Sequence, residues 1–278
     1  MLIIAFMKKM LLVFAHPDDE SFFSAGTVAK YVARGWQADL ISATRGEAGS
    51  RGSLTDSVTP LGEIRQKELE AAGAIIGLSS IVFLGYHDGT LSNLNAGELE
   101  DKVYREMKKY RPDVVITFET TYGISNHPDH NKIGLAATFA FQKYAGETEN
   151  PRALGRRAVQ KLNLEEALTT VNLPKLYYVC LPESIVEFLK KEHILPSVSL
   201  GSPWSGVPDN VVTTVIDIKK YRNKKIKALR AHPSRSADVE RLLSYEKVPV
   251  LNQEYLILRM EGTKEVFMGK NDRVSDRL

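Results

Sequence analysis

"MLLVFAHPDDE", Met10 to Glu20, decides the fold. Met10 to Ala15 is an unbroken apolar run, the mark of a strand buried on both faces. It ends at once in a His, a Pro and three carboxylates. A buried parallel strand that delivers polar, metal-ligating side chains at its carboxyl end is how an open α/β sheet builds a site.

The sequence outward from this stretch keeps the same alternation. "SFFSAGTVAKYVARG" reads as a helix with Ser21 as N-cap and Gly35 as its stop, and "WQADLISAT" as a second strand. "TPLGEIRQKELEAAGAIIG" reads as a helix with Thr59 as N-cap and Pro60 at its first position, ending near Gly77. "SIVFLGY", "GELEDKVYREMKKYRP", "DVVITFE" and "DHNKIGLAATFAFQKY" supply strand, helix, strand and helix in turn. Short links between them require right-handed crossovers. The predicted fold is α/β, Rossmann-like and three-layered, with a mostly parallel sheet in the order 3-2-1-4-5 and insertions in the C-terminal half. Strands 1 and 4 then flank the point where the winding reverses, where ligands bind.

The second half is less regular. The expected organisation is a single domain over 1–278: a core over about 10–145, a helical insertion over about 147–174, further strands and helices over 175–262, and a tail over 263–278. "LYYVCL", "VVTTVIDI" and "EYLILRM" read as its strands.

Composition excludes several classes. A formal charge of +3 over 278 residues gives no case for nucleic-acid binding. The basic run "KKYRNKKIK", Lys219 to Lys227, reads as the solvated face of an amphipathic helix, with an anion or membrane-surface contact as the sharper alternative. The single cysteine, Cys180, permits no intramolecular disulfide and reads as a buried small hydrophobe. The N-terminal apolar stretches are broken by Lys8 and Lys9, too short to span a bilayer and in the wrong order for a secretory signal. A cytoplasmic protein is expected, with Met7 or Met10 as alternative starts. Neither G-x-G-x-x-G nor G-x-x-x-x-G-K-[ST] is present, which counts against a dinucleotide and against a P-loop.

A second stretch, "NHPDH" (Asn126 to His130), repeats His-Pro-Asp after the fourth strand. With 12 Pro and 13 Asp in the chain, a given His is followed by Pro-Asp about once in 500 by chance. His16 and Asp19 are three apart, as are His127 and His130, so each pair can face one point. Two His and one carboxylate form a ligand set for a catalytic zinc with an open fourth position. Pro17 and Pro128 stiffen the two loops.

"AHPDDE" followed by "HPDH" resembles the PIG-L/LmbE-like family of metal-dependent N-deacetylases. The resemblance continues through "TRGEAG", "LGEIRQKELEAA", "FLGYHDG" and "ALRAHPSRS", and is weakest between about Glu147 and Pro208. It implies a Rossmann-like fold and removal of an acetyl group from an N-acetylglucosamine-containing small molecule. It implies His16, Asp19 and His130 as metal ligands, and Asp18 as general base toward water at the open metal position. A protonated His127 would face the oxyanion, and Asp129 would orient His127 or a metal-bound His. It further implies substrate contacts from Arg45, Glu47, Arg65, Asp88 and His232. The metal is Zn²⁺ by ligand type, although the same set suits Fe²⁺.

Plainer roles stand beside these. Glu20 is assigned to capping the following helix, Arg65 can pair with Glu68 on its own helix, and "TRGEAGS" can be a plain turn. Arg235 stands where the family usually has Gln, which loosens any role for His232. His87 and His193 read as solvated, and Trp204 as either a sugar-stacking lid or packing. The partner expected is a small amino-sugar substrate, with no nucleic acid and no membrane span; the family often forms oligomers, so a homo-oligomer is expected. The competing readings are another metal-dependent hydrolase of a small amide or ester, and a non-catalytic sugar- or metal-binding protein.

Overall fold

A computed structural model describes residues 7–267 and 274–278, except 53, 55, 56, 96, 121–123, 149–172, 197 and 246. The helical insertion expected over 147–174 therefore lies almost wholly outside the described residues.

Strands β1 (Lys9–Phe14), β2 (Gln37–Ser42), β3 (Ser80–Phe83), β4 (Val114–Phe118) and β5 (Lys175–Cys180) form a parallel sheet in the order 3-2-1-4-5. Val13 pairs with Ile41 on one side of β1 and Leu12 with Ile116 on the other. Leu11 to Ala15 are fully buried, as the apolar run requires. The sheet then continues antiparallel. After a separate two-stranded hairpin, β6 (Val198–Ser199) and β7 (Ser202–Pro203), β9 (Gln253–Glu261) pairs with β5, and β8 (Thr214–Asp217) and β10 (Lys264–Glu265) pair with β9. Both halves of the chain thus share one sheet.

Helices α1 (Asp19–Phe23), α2 (Ala25–Val32) and α3 (Leu61–Ile76) follow β1 and β2; α4 (Glu98–Tyr110) and α5 (Pro128–Thr148) flank β4. α4 and α5 pack together, while α2 and α3 pack on the helix Arg222–Arg230. Among the described residues no helix is long and apolar enough to cross a membrane.

Three expectations are corrected. The first helix starts at Asp19 rather than after Ser21, because Glu20 accepts the Asp18 N–H at 3.1 Å and opens the turn early. It then breaks at Ser24, and α2 begins afresh with the Glu254 carboxylate taking the Gly26 and Thr27 N–H groups at 3.0 and 2.7 Å. A carboxylate there satisfies orphan donors and complements the helix dipole. Gly26 is required, since a Cβ would lie 2.4 Å from Ile218. Secondly, Pro60 occupies the N-cap of α3 in place of Thr59.

Thirdly, the solvated face of the basic run has an exception: Lys219, Lys220, Lys224 and Lys227 are exposed, but Lys225 is not. The run divides into a 3-10 turn, Lys219–Tyr221, and the helix Arg222–Arg230. Lys225 within it is fully buried, with its Nζ 2.7 Å from Glu254 Oε1 and 2.9 Å from the Phe22 carbonyl. The buried Glu254 needs a counter-charge, and Lys225 supplies it. Cys180 is buried, and burial raises its thiol pKa far above the ordinary value.

Candidate metal centre

The site lies beyond the carboxyl ends of β1 and β4, at the reversal of winding. Asp18 is the N-cap of α1 at φ 104°, a conformation that costs a non-glycine residue of order 1–3 kcal/mol. Two contacts hold it there: the Glu20 carboxylate on its N–H, and the Arg65 Nη2 on the preceding Pro17 carbonyl at 2.6 Å. Asn126, at φ 57°, makes the corresponding sharp turn before His127.

His16, Asp19 and His130 converge. His16 Nδ1 and His130 Nε2 are 3.3 Å apart, His130 Nε2 lies 3.3 Å from Asp19 Oδ1, and His16 Nδ1 lies 3.7 Å from Asp19 Oδ2. Ligand atoms at 2.0–2.2 Å around a tetrahedral zinc stand roughly 3.3–3.6 Å apart. The two ring nitrogens stand at that spacing, and Asp19 presents Oδ1 to His130 and Oδ2 to His16, so the donor types fit such an ion, with its charge balanced in part by Asp19. His127 belongs to the same cluster, with its ring 4.6 Å from that of His16 and 5.0 Å from that of His130.

The outer face of His16 is acidic. Its Nε2 lies 2.8 Å from Asp88 Oδ1 and 3.5 Å from Asp129 Oδ2. The Asp88 contact is short but out of line with the N–H bond, so it is an ion pair more than a directed hydrogen bond. Burial opposes charge on His16, but Asp129 and Asp88 outweigh it and raise its pKa to about 10. Burial likewise opposes charge on Asp19, and the His130 and His16 rings prevail, lowering it to about 2. Asp129 is fixed by the Gly89 and Leu91 N–H groups at 2.8 and 3.1 Å. His130 is held by Ser125 Oγ at 3.0 Å from its Nδ1 and by stacking on Phe118 at 3.9 Å. These outer contacts fix which ring nitrogen faces the centre.

His127 faces the same space in a different state from the expected cation. The Asp129 N–H donates to its Nδ1 at 3.2 Å, which leaves Nε2 to carry the proton of a neutral ring. Burial and the neighbouring His16 and His130 lower its pKa to about 4.

Asp18 is paired twice. Its Oδ2 accepts from Arg65 Nη2 at 3.2 Å and lies 2.9 Å from Arg235 Nε. Arg65 does not pair with Glu68. It is buried and also donates to the Gly46 carbonyl at 2.9 Å, while Glu68 takes the Ser234 N–H at 2.8 Å.

The remaining expected substrate contacts are redistributed. Asp88 uses Oδ1 on His16 and Oδ2 on the Ala48 N–H, so its carboxylate is engaged within the protein. His232 is buried, with Nε2 2.9 Å from Glu20 Oε1, and this pair raises its pKa against burial. It supports Asp18 from behind rather than facing a ligand. Glu47 accepts the Arg45 and Asp88 N–H groups and shapes the loop, and Arg45 turns to Gln66 and the Phe83 ring. Of the expected substrate contacts, Arg65 and Asp88 line the cavity, and they are joined there by Arg235, Asp238 and Arg241. No sequence signal pointed to the last two, which reach the site only through the packing of the C-terminal helices. His87 and His193 are exposed.

The cavity above the centre is about 400 Å³. His16, Asp18, Asp19, Arg65, Asp88, His127 and His130 line it together with Trp204 and a group of aliphatic side chains.

A family profile described as "GlcNAc-PI de-N-acetylase" matches residues 11–141. The 1D-myo-inositol 2-acetamido-2-deoxy-alpha-D-glucopyranoside deacetylase 1 of Saccharopolyspora erythraea is 30% identical over 253 residues, covering 81% of this chain and 76% of that protein. In fold, the chain is similar to the N,N'-diacetylchitobiose deacetylase of Pyrococcus horikoshii, with a TM-score of 0.58, 21% identity, and coverage of 92% and 84%. It is equally similar to a 4-carboxy-2-hydroxymuconate hydratase from Pseudomonas putida, with a TM-score of 0.60, 17% identity, and coverage of 94% and 100%. At such identities the likeness shows the fold alone, and the hydratase shows that the fold does not choose the reaction.

Proposed function

The chain belongs to the PIG-L family of de-N-acetylases, and from that premise we propose that it removes the acetyl group from the amide nitrogen of an N-acetylglucosamine-containing small molecule, using one Zn²⁺ ion. The observation that carries the reading is the convergence of His16 Nδ1, Asp19 and His130 Nε2 within 3.3–3.7 Å of one another, in the cavity that Asp18 also lines.

His16, Asp19 and His130 hold the ion. When bound, it supplies a Lewis acid for the amide oxygen and a water acidified toward a pKa of roughly 7. Asp18 accepts a proton through Oδ1, since Oδ2 is occupied by Arg65 and Arg235. That division fixes the carboxylate plane, and the strained backbone of Asp18 fixes its direction. His127 donates its Nε2–H to the oxygen that becomes negative as the carbonyl carbon turns tetrahedral. It does so as a neutral donor, because its Nδ1 is occupied by the Asp129 N–H. Asp18 then returns the proton to the leaving nitrogen, and acetate and a free amine result. Asp88 and Asp129 keep Nδ1 of His16 turned inward.

Acetate release from a panel of N-acetylglucosaminides tests this. It is expected from wild-type protein with Zn²⁺ restored, and absent from stripped protein and from Asp18→Ala. Absence of acetate from every sugar with the metal bound would overturn the deacetylase reading and favour hydrolysis of a different small amide or ester.

A further inference from the structure

Apart from the side chains of the candidate metal centre, the lining of the cavity is predominantly apolar. Phe22, Leu181, Leu189, Ile194, Leu195 and Trp204 contribute to it. The other charged side chains of the lining, Arg235, Asp238 and Arg241, face one another, with Arg235 Nη2 2.9 Å and Arg241 Nη1 3.6 Å from the Asp238 carboxylate, and Trp204 Nε1 is a buried donor without a partner among the described residues. A polyol or polycarboxylate pressed against such a wall loses hydrogen bonds to water and gains few in return.

The wall is joined to the metal centre. Val198–Ser199 and Ser202–Pro203 form a small hairpin. Ser199 Oγ donates to the Ser125 carbonyl at 3.0 Å, and Asn126 Nδ2 donates to the Pro203 carbonyl at 3.0 Å, in the loop that carries His127 and His130. Leu200, at the tip of this hairpin with φ 49°, lines the cavity although it is 64% exposed. The apolar surface therefore runs from beside the metal ligands out to the mouth.

We propose that this surface is an aglycone subsite: the substrate is an N-acetylglucosaminide whose glycosidic oxygen carries an alkyl or aryl chain, laid along Leu195 and Trp204 toward Leu200. This rests on the deacetylase reading, in which the acyl group is a two-carbon acetyl and the long apolar wall falls to the opposite end of the substrate. Each methylene that leaves water contributes up to about 4-fold.

Two measurements separate this from the reading beneath it. The first is kcat/KM for methyl, butyl and octyl N-acetylglucosaminides, beside methyl glucosaminides carrying acetyl, butanoyl and hexanoyl amides. The second needs no turnover: titration of Trp204 fluorescence, in a Trp36→Phe background, with methyl and octyl glucosaminides below the micelle threshold. The expected result is a rise of at least 10-fold in kcat/KM from methyl to octyl glycoside, a matching fall in Kd, and no rise along the amide series. L200N should cut the octyl-to-methyl ratio at least 3-fold; Asn accepts the left-handed backbone, so the hairpin is retained. A rise along the amide series alone would overturn the aglycone assignment. Flat responses in both series, or an octyl-to-methyl ratio unchanged in both L200N and L195N, would overturn the subsite. If no glycoside of either series is hydrolysed, the deacetylase reading fails, and the fluorescence titration still decides the apolar subsite.

Discussion

Replacing Asp88 by Asn removes one negative charge, and one acceptor, from the outer face of His16. The side chain is 6% exposed, its Oδ1 stands 2.8 Å from His16 Nε2, and its Oδ2 accepts from the Ala48 N–H at 3.2 Å. Asn can keep the Ala48 bond through its carbonyl oxygen, which turns its amide NH2 toward His16 Nε2 and puts a donor where the carboxylate was an acceptor. Asp129, at 3.5 Å, remains as a weaker partner, so the ring should keep its orientation and lose basicity. Loss of such an outer partner typically weakens a metal site roughly 10–100-fold, which is about 1.4–2.7 kcal/mol. Competition with a chromogenic chelator measures it. The expected outcome is a Kd for Zn²⁺ raised by that factor, with KM little changed once the site is saturated. In the metal-free protein the same change should lower the His16 pKa from about 10. A metal Kd within about 2-fold of wild type, with KM raised instead, would refute the reasoning and return Asp88 to the substrate.

Four further outcomes follow from the same contacts. Asp18→Asn should lower kcat roughly 10²–10⁴-fold and leave one equivalent of metal bound, measured by elemental analysis beside turnover. His127→Ala should lower kcat by about 2.7–4 kcal/mol of barrier, and the wild-type pH profile should show no titration of His127 between pH 5 and 8, since its pKa lies at about 4. Zinc binding at pH 8 should expel at least one proton, that of His16 Nδ1, read by calorimetry in two buffers: that ring is protonated below its pKa of about 10 when metal-free, and must lose the Nδ1 proton to ligate. Lys225→Met should destabilise the fold by about 3–5 kcal/mol in urea, because Glu254 is then left buried without its counter-charge.

The parallel core was legible because its signals are local. Met10–Ala15 announces a doubly buried strand, and short βα links leave little freedom in where successive strands go. His16, Asp19, His127 and His130 could be placed in one crevice from strand order alone. What a ring does once there could not be read from spacing. The neutral state of His127 follows from one backbone N–H, that of Asp129. His232 and Glu20 are 212 residues apart in sequence, and only the packing of the C-terminal helices makes them partners. Lys225 misled for a related reason: a Lys in a run of basic residues looks solvated until Glu254, on β9, is found beneath it. The apolar wall has the weakest trace of all, being assembled from Phe22 and single side chains of several segments between residues 181 and 250.

The central claim is that one metal ion, held by His16, Asp19 and His130, makes this chain an N-deacetylase. Its most direct test is acetate released from an N-acetylglucosaminide as Zn²⁺ is added stepwise to stripped protein. The account requires activity to rise in proportion to metal and to level off at one equivalent. Acetate release that is independent of metal, or that begins only after a second equivalent has bound, would contradict it.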